Sequence, residues 1–280
     1  MDARGRARLP VTAPGIHPEF DPRAPHTAGR RLRWWLEMIY IGAFYVVYTL
    51  IRNTQGSARV GVTHAFNNAR RLIRLERLSG MFHEESVQEA FLPYRRFITF
   101  WNVYYGTFHF VVTLVALVWC YRTLPARYPR MRNALLATTG LALVGFAAFP
   151  LMPPRLLPPG YGFVDTLAHY GGLWSFDSGA ISKISNQYAA MPSLHFGWSA
   201  WCAVTLWPWA RTTPRKLLLL AYPLATTFAI VVTGNHYVLD AAGGAVVLAL
   251  GFSIALSIAR FGIVERAKQL AFRPERDRRE

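Results

Sequence analysis

A chain of 280 residues that is 52% hydrophobic and only 16% charged is too apolar for an ordinary soluble domain. Its net charge of +16 invites a nucleic-acid partner, but the basic residues are spread between apolar blocks instead of forming one face, so no nucleic acid is expected. Its two cysteines, Cys120 and Cys202, fall inside apolar blocks, which suits packing and leaves neither a disulfide framework nor a zinc site.

From the N-terminus, residues 1–33 hold seven Arg and five Pro (Pro10, Pro14, Pro18, Pro22, Pro25) and no apolar core. This composition predicts a disordered basic cytoplasmic tail, not a cleavable signal peptide. Six apolar blocks follow, close to the roughly 17–25 residues that span a bilayer. They run Trp34–Ile51, Ile98–Cys120, Leu135–Leu151, Leu194–Trp207, Leu217–Thr233 and Ala241–Ala259. The fourth is short and bounded by Pro192 and Pro208, so a buried or re-entrant helix is its alternative. The expected architecture is all-α: a polytopic membrane protein whose six-transmembrane-helix bundle, the catalytic domain, fills residues 34–260. A basic cytoplasmic tail would occupy 261–280. With the N-terminus inside, 21 of the 31 Lys and Arg fall in inner segments and 10 in outer ones. That is the positive-inside distribution, and the basic tails suit anionic headgroups.

The first outer loop contains a helical stretch, about His64–Phe91. Phe66, Leu72, Ile73, Leu75, Leu78, Met81, Phe82, Val87 and Phe91 recur near helical spacing, and Arg70, Arg71, Arg74, Arg77, Glu84 and Glu85 fill the remainder. Ser79-Gly80 should bend it. It reads as an amphipathic helical cap, lying in the interface or packed on the bundle. The second outer loop, Met152–Pro192, opens with Pro153-Pro154-Arg155 and Pro158-Pro159-Gly160-Tyr161-Gly162. It continues poor in charge and rich in aromatics: Tyr161, Phe163, Tyr170, Trp174 and Phe176. Loops of this length inside a compact domain are usually functional, and a lid or lipid-facing vestibule fits the composition. Asp165 and Asp177 read as headgroup contacts or as turn residues, and Lys183 as a possible second cation.

Ionisable groups are costly where an apolar span meets water, and are usually functional there. His195 stands at the start of the fourth block in Met191-Pro192-Ser193-Leu194-His195. His236 stands 41 residues on, in His236-Tyr237-Val238-Leu239-Asp240. One span down and one back would return both to the same face, together with Arg155. His236 and Asp240 are four apart and share a face if helical. A carboxylate there can hold the imidazole Nδ1–H and leave Nε2 as nucleophile; a structural hydrogen bond or a metal pair are the alternatives. Pro192 at a first helical position, followed by Ser193, would leave free amides aimed outward as an anion site. His195, one turn in, could protonate a leaving oxygen. Arg155 could grip phosphate in bidentate fashion or snorkel to headgroups. His109, deep in the second block near Asn102 and Tyr104, reads as an interhelical hydrogen-bonding group. Together these parts describe a phosphoryl-transfer site with no metal and no cofactor.

Pro192-Ser193-Leu194-His195 and His236-(three residues)-Asp240 resemble the second and third motifs of the type 2 phosphatidic acid phosphatase superfamily. Ala189 to His195, Pro150 to Arg155, and Asn68 through Gln88 (with Leu75-Glu76 and Glu84) look closest to its inositol phosphorylceramide synthase-like, inositolphosphotransferase branch. The resemblance covers roughly residues 35–260. It implies His236 as phosphohistidine nucleophile, Asp240 as its orienting partner, His195 as general acid, and Arg155 and Ser193 as phosphate-binding residues. The phosphatases' Lys-(six residues)-Arg-Pro motif has no counterpart here beyond the wrongly spaced Lys268 and Arg273-Pro274. Ala229 and Ile230 stand where phosphatases carry Ser-Arg, and Leu194 where they carry Gly. The expected activity is lipid phosphotransfer or phosphate hydrolysis on the extracytoplasmic face of the cell membrane, acting on a lipid phosphate or phosphodiester. Alternatives are a non-catalytic scaffold or transporter, or a haloperoxidase pocket holding vanadate. The pattern leaves the oligomeric state open. The mechanism requires the two imidazoles within about 10 Å of each other in one cavity.

Overall fold

The computed structural model describes residues 33–54, 61–171 and 187–271. The expected tail over 1–32, the loop residues Trp174, Phe176, Asp177 and Lys183, and residues 272–280 lie outside the described residues.

The described chain is helical and contains no strand. Its helices, in order, are α1 (Trp34–Thr54), α2 (Val62–Leu78), α3 (Glu84–Phe91), α4 (Arg95–Thr123), α5 (Tyr128–Ala148), α6 (Thr166–Tyr170), α7 (Leu194–Leu206), α8 (Thr213–Val232) and α9 (Val238–Ala271). Among the described residues four stretches are long and apolar enough to cross a membrane: α4, α5, α8 and residues Val238–Gly262 of α9. Their exposed sides carry Phe110, Val111, Leu114 and Val115 on α4, Leu217, Leu218 and Leu224 on α8, and Val246 and Ile258 on α9. Apolar faces of this extent are stable against lipid and a liability in water, so these helices mark a membrane-embedded protein. α7 has 13 residues, about 20 Å at 1.5 Å per residue. α9 continues to Ala271, through the first part of the segment expected as a C-terminal tail.

Small residues let the long helices approach closely, as they do where no water drives association. A Cβ on Gly251 of α9 would strike Thr138 of α5, and one on Gly244 would strike the Ser193 carbonyl ahead of α7. Trp201 of α7 donates its indole N–H to the Met131 carbonyl (2.9 Å) and Trp198 to Thr139 Oγ1 (3.0 Å), so α7 is bonded along α5. At the far end from the histidines, Glu37 in the first turn of α1 pairs with Arg132 near the start of α5. The Arg132 guanidinium also lies 5.2 Å from the Tyr40 ring and 5.8 Å from that of Tyr128. α1 and α5 therefore begin at the same end of the bundle.

Between α1 and α4 the expected bent helix is two separate helices. Ser79 ends α2, and Gly80 takes φ +69°, the left-handed conformation that reverses the chain. The apolar residues of this stretch do not all share one buried face. Leu75 and Leu78 are 57% and 81% exposed, whereas Glu76 and Glu84 are buried. The buried stripe is Ala65, Asn68, Ala69, Leu72, Ile73 and Glu76, which follows helical periodicity but admits polar groups because each finds a partner. Asn68 donates to the Pro150 carbonyl at 2.9 Å. Gln88 accepts the Val164 N–H at 2.8 Å and donates to the Val164 and Val232 carbonyls. Asn102 of α4 donates to the Thr166 and Gly171 carbonyls. These bonds tie α2, α3 and the 150–171 loop over the end of the bundle where α8 gives way to α9.

Candidate active site

The link from α8 to α9 is shaped by Gly234. Its φ of +66° ends α8 in the left-handed turn that a side chain resists. The Asn235 and His236 amides then return to the Ile230 carbonyl at 3.0 and 3.1 Å. His236 follows this turn, one residue before Tyr237, whose buried hydroxyl donates to the Met152 carbonyl at 3.0 Å. Asp240 sits in the first turn of α9, where the helix dipole favours a carboxylate. Its Oδ2 accepts the Tyr237 N–H at 3.0 Å and lies 3.2 Å from His236 Nδ1. With the imidazole proton on Nδ1, Nε2 keeps its lone pair free.

The same turn sets the second histidine. The Ser193 N–H donates to the Asp240 carbonyl at 2.9 Å, fastening the start of α7 to the start of α9. Ser193 is the N-cap, its Oγ accepting the Phe196 N–H at 3.4 Å. Pro192 therefore precedes the cap and is not the first helical residue, as the sequence had suggested; it faces Gly243 instead. His195 lies in the first turn of α7, and its ring centroid is 5.3 Å from that of His236. Ser193, His236 and Asp240 are all buried.

Arg155 occupies a 3₁₀ turn, Pro154–Leu156. Its backbone N–H donates to the Gly234 carbonyl at 2.7 Å, which seats it against the segment that carries His236. Its Nη1 pairs with Asp165 Oδ2 at 2.7 Å, and its buried Nε has no acceptor among the described residues. Asp165 also caps α6 through the Leu167 and Ala168 amides, so the turn role weighed for it is observed.

Two residues of α4 join the histidines. Tyr105 stacks on His195 with centroids 4.2 Å apart and lies 6.3 Å from His236. His109 packs edge-on against His195 at 4.2 Å. The interhelical hydrogen bond expected of His109 is absent at Nδ1, which is buried without a partner among the described residues. The sequence offered one usable signal for this pair: Tyr105 and His109 are four apart on the face of α4 that also carries Asn102. Glu76 and Glu84 were also missed as neighbours of the site. Glu76 falls in register with Ala65, Ala69 and Leu72, where only a satisfied carboxyl can be buried. Among the described residues no group of three or more His, Cys, Asp or Glu could hold a metal ion.

A family model described as PAP2 superfamily matches residues 70–254. No curated protein matches the chain, and no solved structure does.

Proposed function

The chain belongs to the PAP2 superfamily, and from that premise we propose that it is a lipid phosphotransferase or phosphatase acting through a phosphohistidine. The observation that carries this reading is a buried imidazole bonded at Nδ1 to a carboxylate, 5.3 Å between centroids from a second imidazole. Nε2 of His236 attacks phosphorus, the bond from phosphorus to the leaving alcohol oxygen breaks, and His195 supplies the proton that oxygen takes. An acceptor hydroxyl then attacks the phosphohistidine, returning its proton to His195. Asp240 holds the tautomer. Arg155 and the α7 amides aligned by Ser193 meet the charge on the phosphoryl oxygens. The inventory calls for no metal or other cofactor.

The finer assignments belong to the same proposal. α1 and α7 complete a six-span bundle, because α1 starts beside α5 and an apolar helix of 21 residues can reach across. α2 and α3 form a cap on the outer side, with Arg70, Arg71, Arg74 and Arg77 exposed. Residues 34–260 then make the catalytic domain, with basic tails at 1–33 and 261–280. The α4–α5 junction, with Arg122, Arg127, Arg130 and Arg132, and the α7–α8 junction, with Arg211, Arg215 and Lys216, face the cytoplasm with both termini. The active site opens extracytoplasmically at the cell membrane, where the substrate is a lipid phosphate or phosphodiester drawn from the bilayer. Leu194, Ala229 and Ile230 support the inositol phosphorylceramide synthase-like branch, hence an alcohol acceptor. Hydrolysis by water shares the same intermediate.

The test is incubation of purified protein with membrane lipid extract, with and without an added polyol, following phosphorus-containing products by mass spectrometry. A new phosphodiester that needs the polyol supports transfer, and released phosphate supports hydrolysis. No product in either arm, with intact folded protein, favours a non-catalytic membrane role. Arg155→Lys keeps the charge and loses the planar fork, so kcat/KM is expected to fall about tenfold. An unchanged kcat/KM would remove Arg155 from phosphate binding.

A further inference from the structure

Three consecutive amides at the start of α9 each meet a carboxylate. The Tyr237 N–H reaches Asp240 Oδ2 at 3.0 Å, the Val238 N–H reaches Glu84 Oε1 at 2.9 Å, and the Leu239 N–H reaches Glu76 Oε1 at 2.9 Å. The first amides of a helix have no partner within it, and here two are taken by side chains from a segment more than 150 residues away. Glu76 lies in the last turn of α2 and Glu84 begins α3, so the reversal at Gly80 aims both at one helix end.

We propose that Glu76 and Glu84 are positioning residues for the nucleophile: a carboxyl–carboxylate pair, holding one proton between them, that clamps the 236–240 segment. The proposal deepens the reading of His236 as nucleophile and rests on it for its catalytic consequence. Both side chains are at most 1% exposed, and Oε2 of each is buried without a donor among the described residues. Two ionised carboxylates so placed would leave these oxygens unsatisfied and repel each other and Asp240. The amides they accept are consecutive in the chain, which brings the two carboxyls to one helix end, and two acceptors become a bond once a proton sits between them. Burial, with Glu84 and Asp240 adding to it, pushes the Glu76 carboxyl up from 4.5 to about 8, against the opposing pull of the Leu239 N–H. Tyr237 also faces the pair, while Arg74 and Arg77 on α2 are exposed.

Glutamine at position 76 can accept the Leu239 N–H and donate to Glu84 at every pH, standing in for the protonated pair. Glu76→Ala is expected to lower kcat at least tenfold with KM within twofold, and Glu76→Gln to recover most of that loss. Wild-type kcat should fall as pH rises through about 8, and the glutamine variant should lack this limb. A second arm needs no turnover. The folded state keeps a proton that the unfolded chain releases above 4.5. The pair's contribution to stability is therefore full below 4.5 and lost as pH rises to about 8. The unfolding temperature in detergent should fall across that window in wild type and less in Glu76→Gln. A glutamine variant as impaired as alanine, or one with an unchanged pH slope of unfolding, overturns the proposal. His236→Ala separates the two failures: if it stays active while the unfolding arm behaves as expected, the phosphohistidine reading falls and the clamp stands.

Discussion

His236→Ala is expected to reduce turnover by more than about 10³-fold, because in the proposed mechanism its Nε2 is the atom that takes the phosphoryl group. The fold should survive. The imidazole contributes one side-chain bond, to Asp240, while the segment remains tied by the Asn235 amide to Ile230, the Tyr237 hydroxyl to Met152 and the Ser193 amide to the Asp240 carbonyl. Asp240→Asn keeps the shape and can present an N–H to Nδ1, favouring the wrong tautomer; a loss of about 10⁴ follows such a change in a triad enzyme. The direct measurement is a rapid quench with a donor labelled in its phosphate. Label should appear on the protein, be stable to base and labile to acid, and vanish in His236→Ala. Normal turnover in His236→Ala, or label retained after that substitution, would remove this histidine from the reaction.

The second large effect is expected from Gly244→Ala. A Cβ at this position would collide with the Ser193 carbonyl and come within 3.4 Å of the Gly197 amide. Both belong to backbone, so no side chain can swing aside. α7 and α9 must part, and the hydrogen bond from the Ser193 amide to the Asp240 carbonyl lies across that seam. His195 rides on one helix and His236 precedes the other, so the separation between the imidazoles widens. Displacement by about 1 Å can cost about 10²-fold in rate, and overpacking costs about 1–3 kcal/mol of stability. The matched control is Gly140→Ala in α5, where a Cβ meets nothing within 4 Å and helix propensity improves. Turnover and unfolding temperature of the two variants decide the point: equal behaviour would mean that the α7–α9 seam does not govern the site.

Much of the candidate site lies close along the chain. His236 and Asp240 are four residues apart, and a helix start brings them together. Ser193 and His195 belong to one helix cap. Arg155 and Asp165 are ten apart within one loop. The misreadings lie elsewhere. Leu75 and Leu78 read as members of one apolar series with Leu72 and Ile73, yet Leu72 and Ile73 are buried and Leu75 and Leu78 face outward. Glu84 read as solvated because it is charged, yet it is buried. Residue type reports the cost of burial and is silent on whether a partner offsets that cost.

By itself the amino-acid order determined an apolar chain built to lie in a membrane, with two histidine motifs whose internal spacing follows from helix geometry. These are properties of solvent preference and of 3.6-residue periodicity, both readable within a window of a few turns. Only the tertiary structure decided that Tyr105 and His109 flank His195, that Glu76 and Glu84 hold the amides of Leu239 and Val238, and that Gly244 sets how near α7 may come. The partners in the last two cases are peptide groups, which every residue carries, so nothing in the letters marks them. Which amide meets which carboxylate is settled when segments far apart in the chain pack at fixed distance, and that distance is set by the sum of the helix contacts, not by any local pattern.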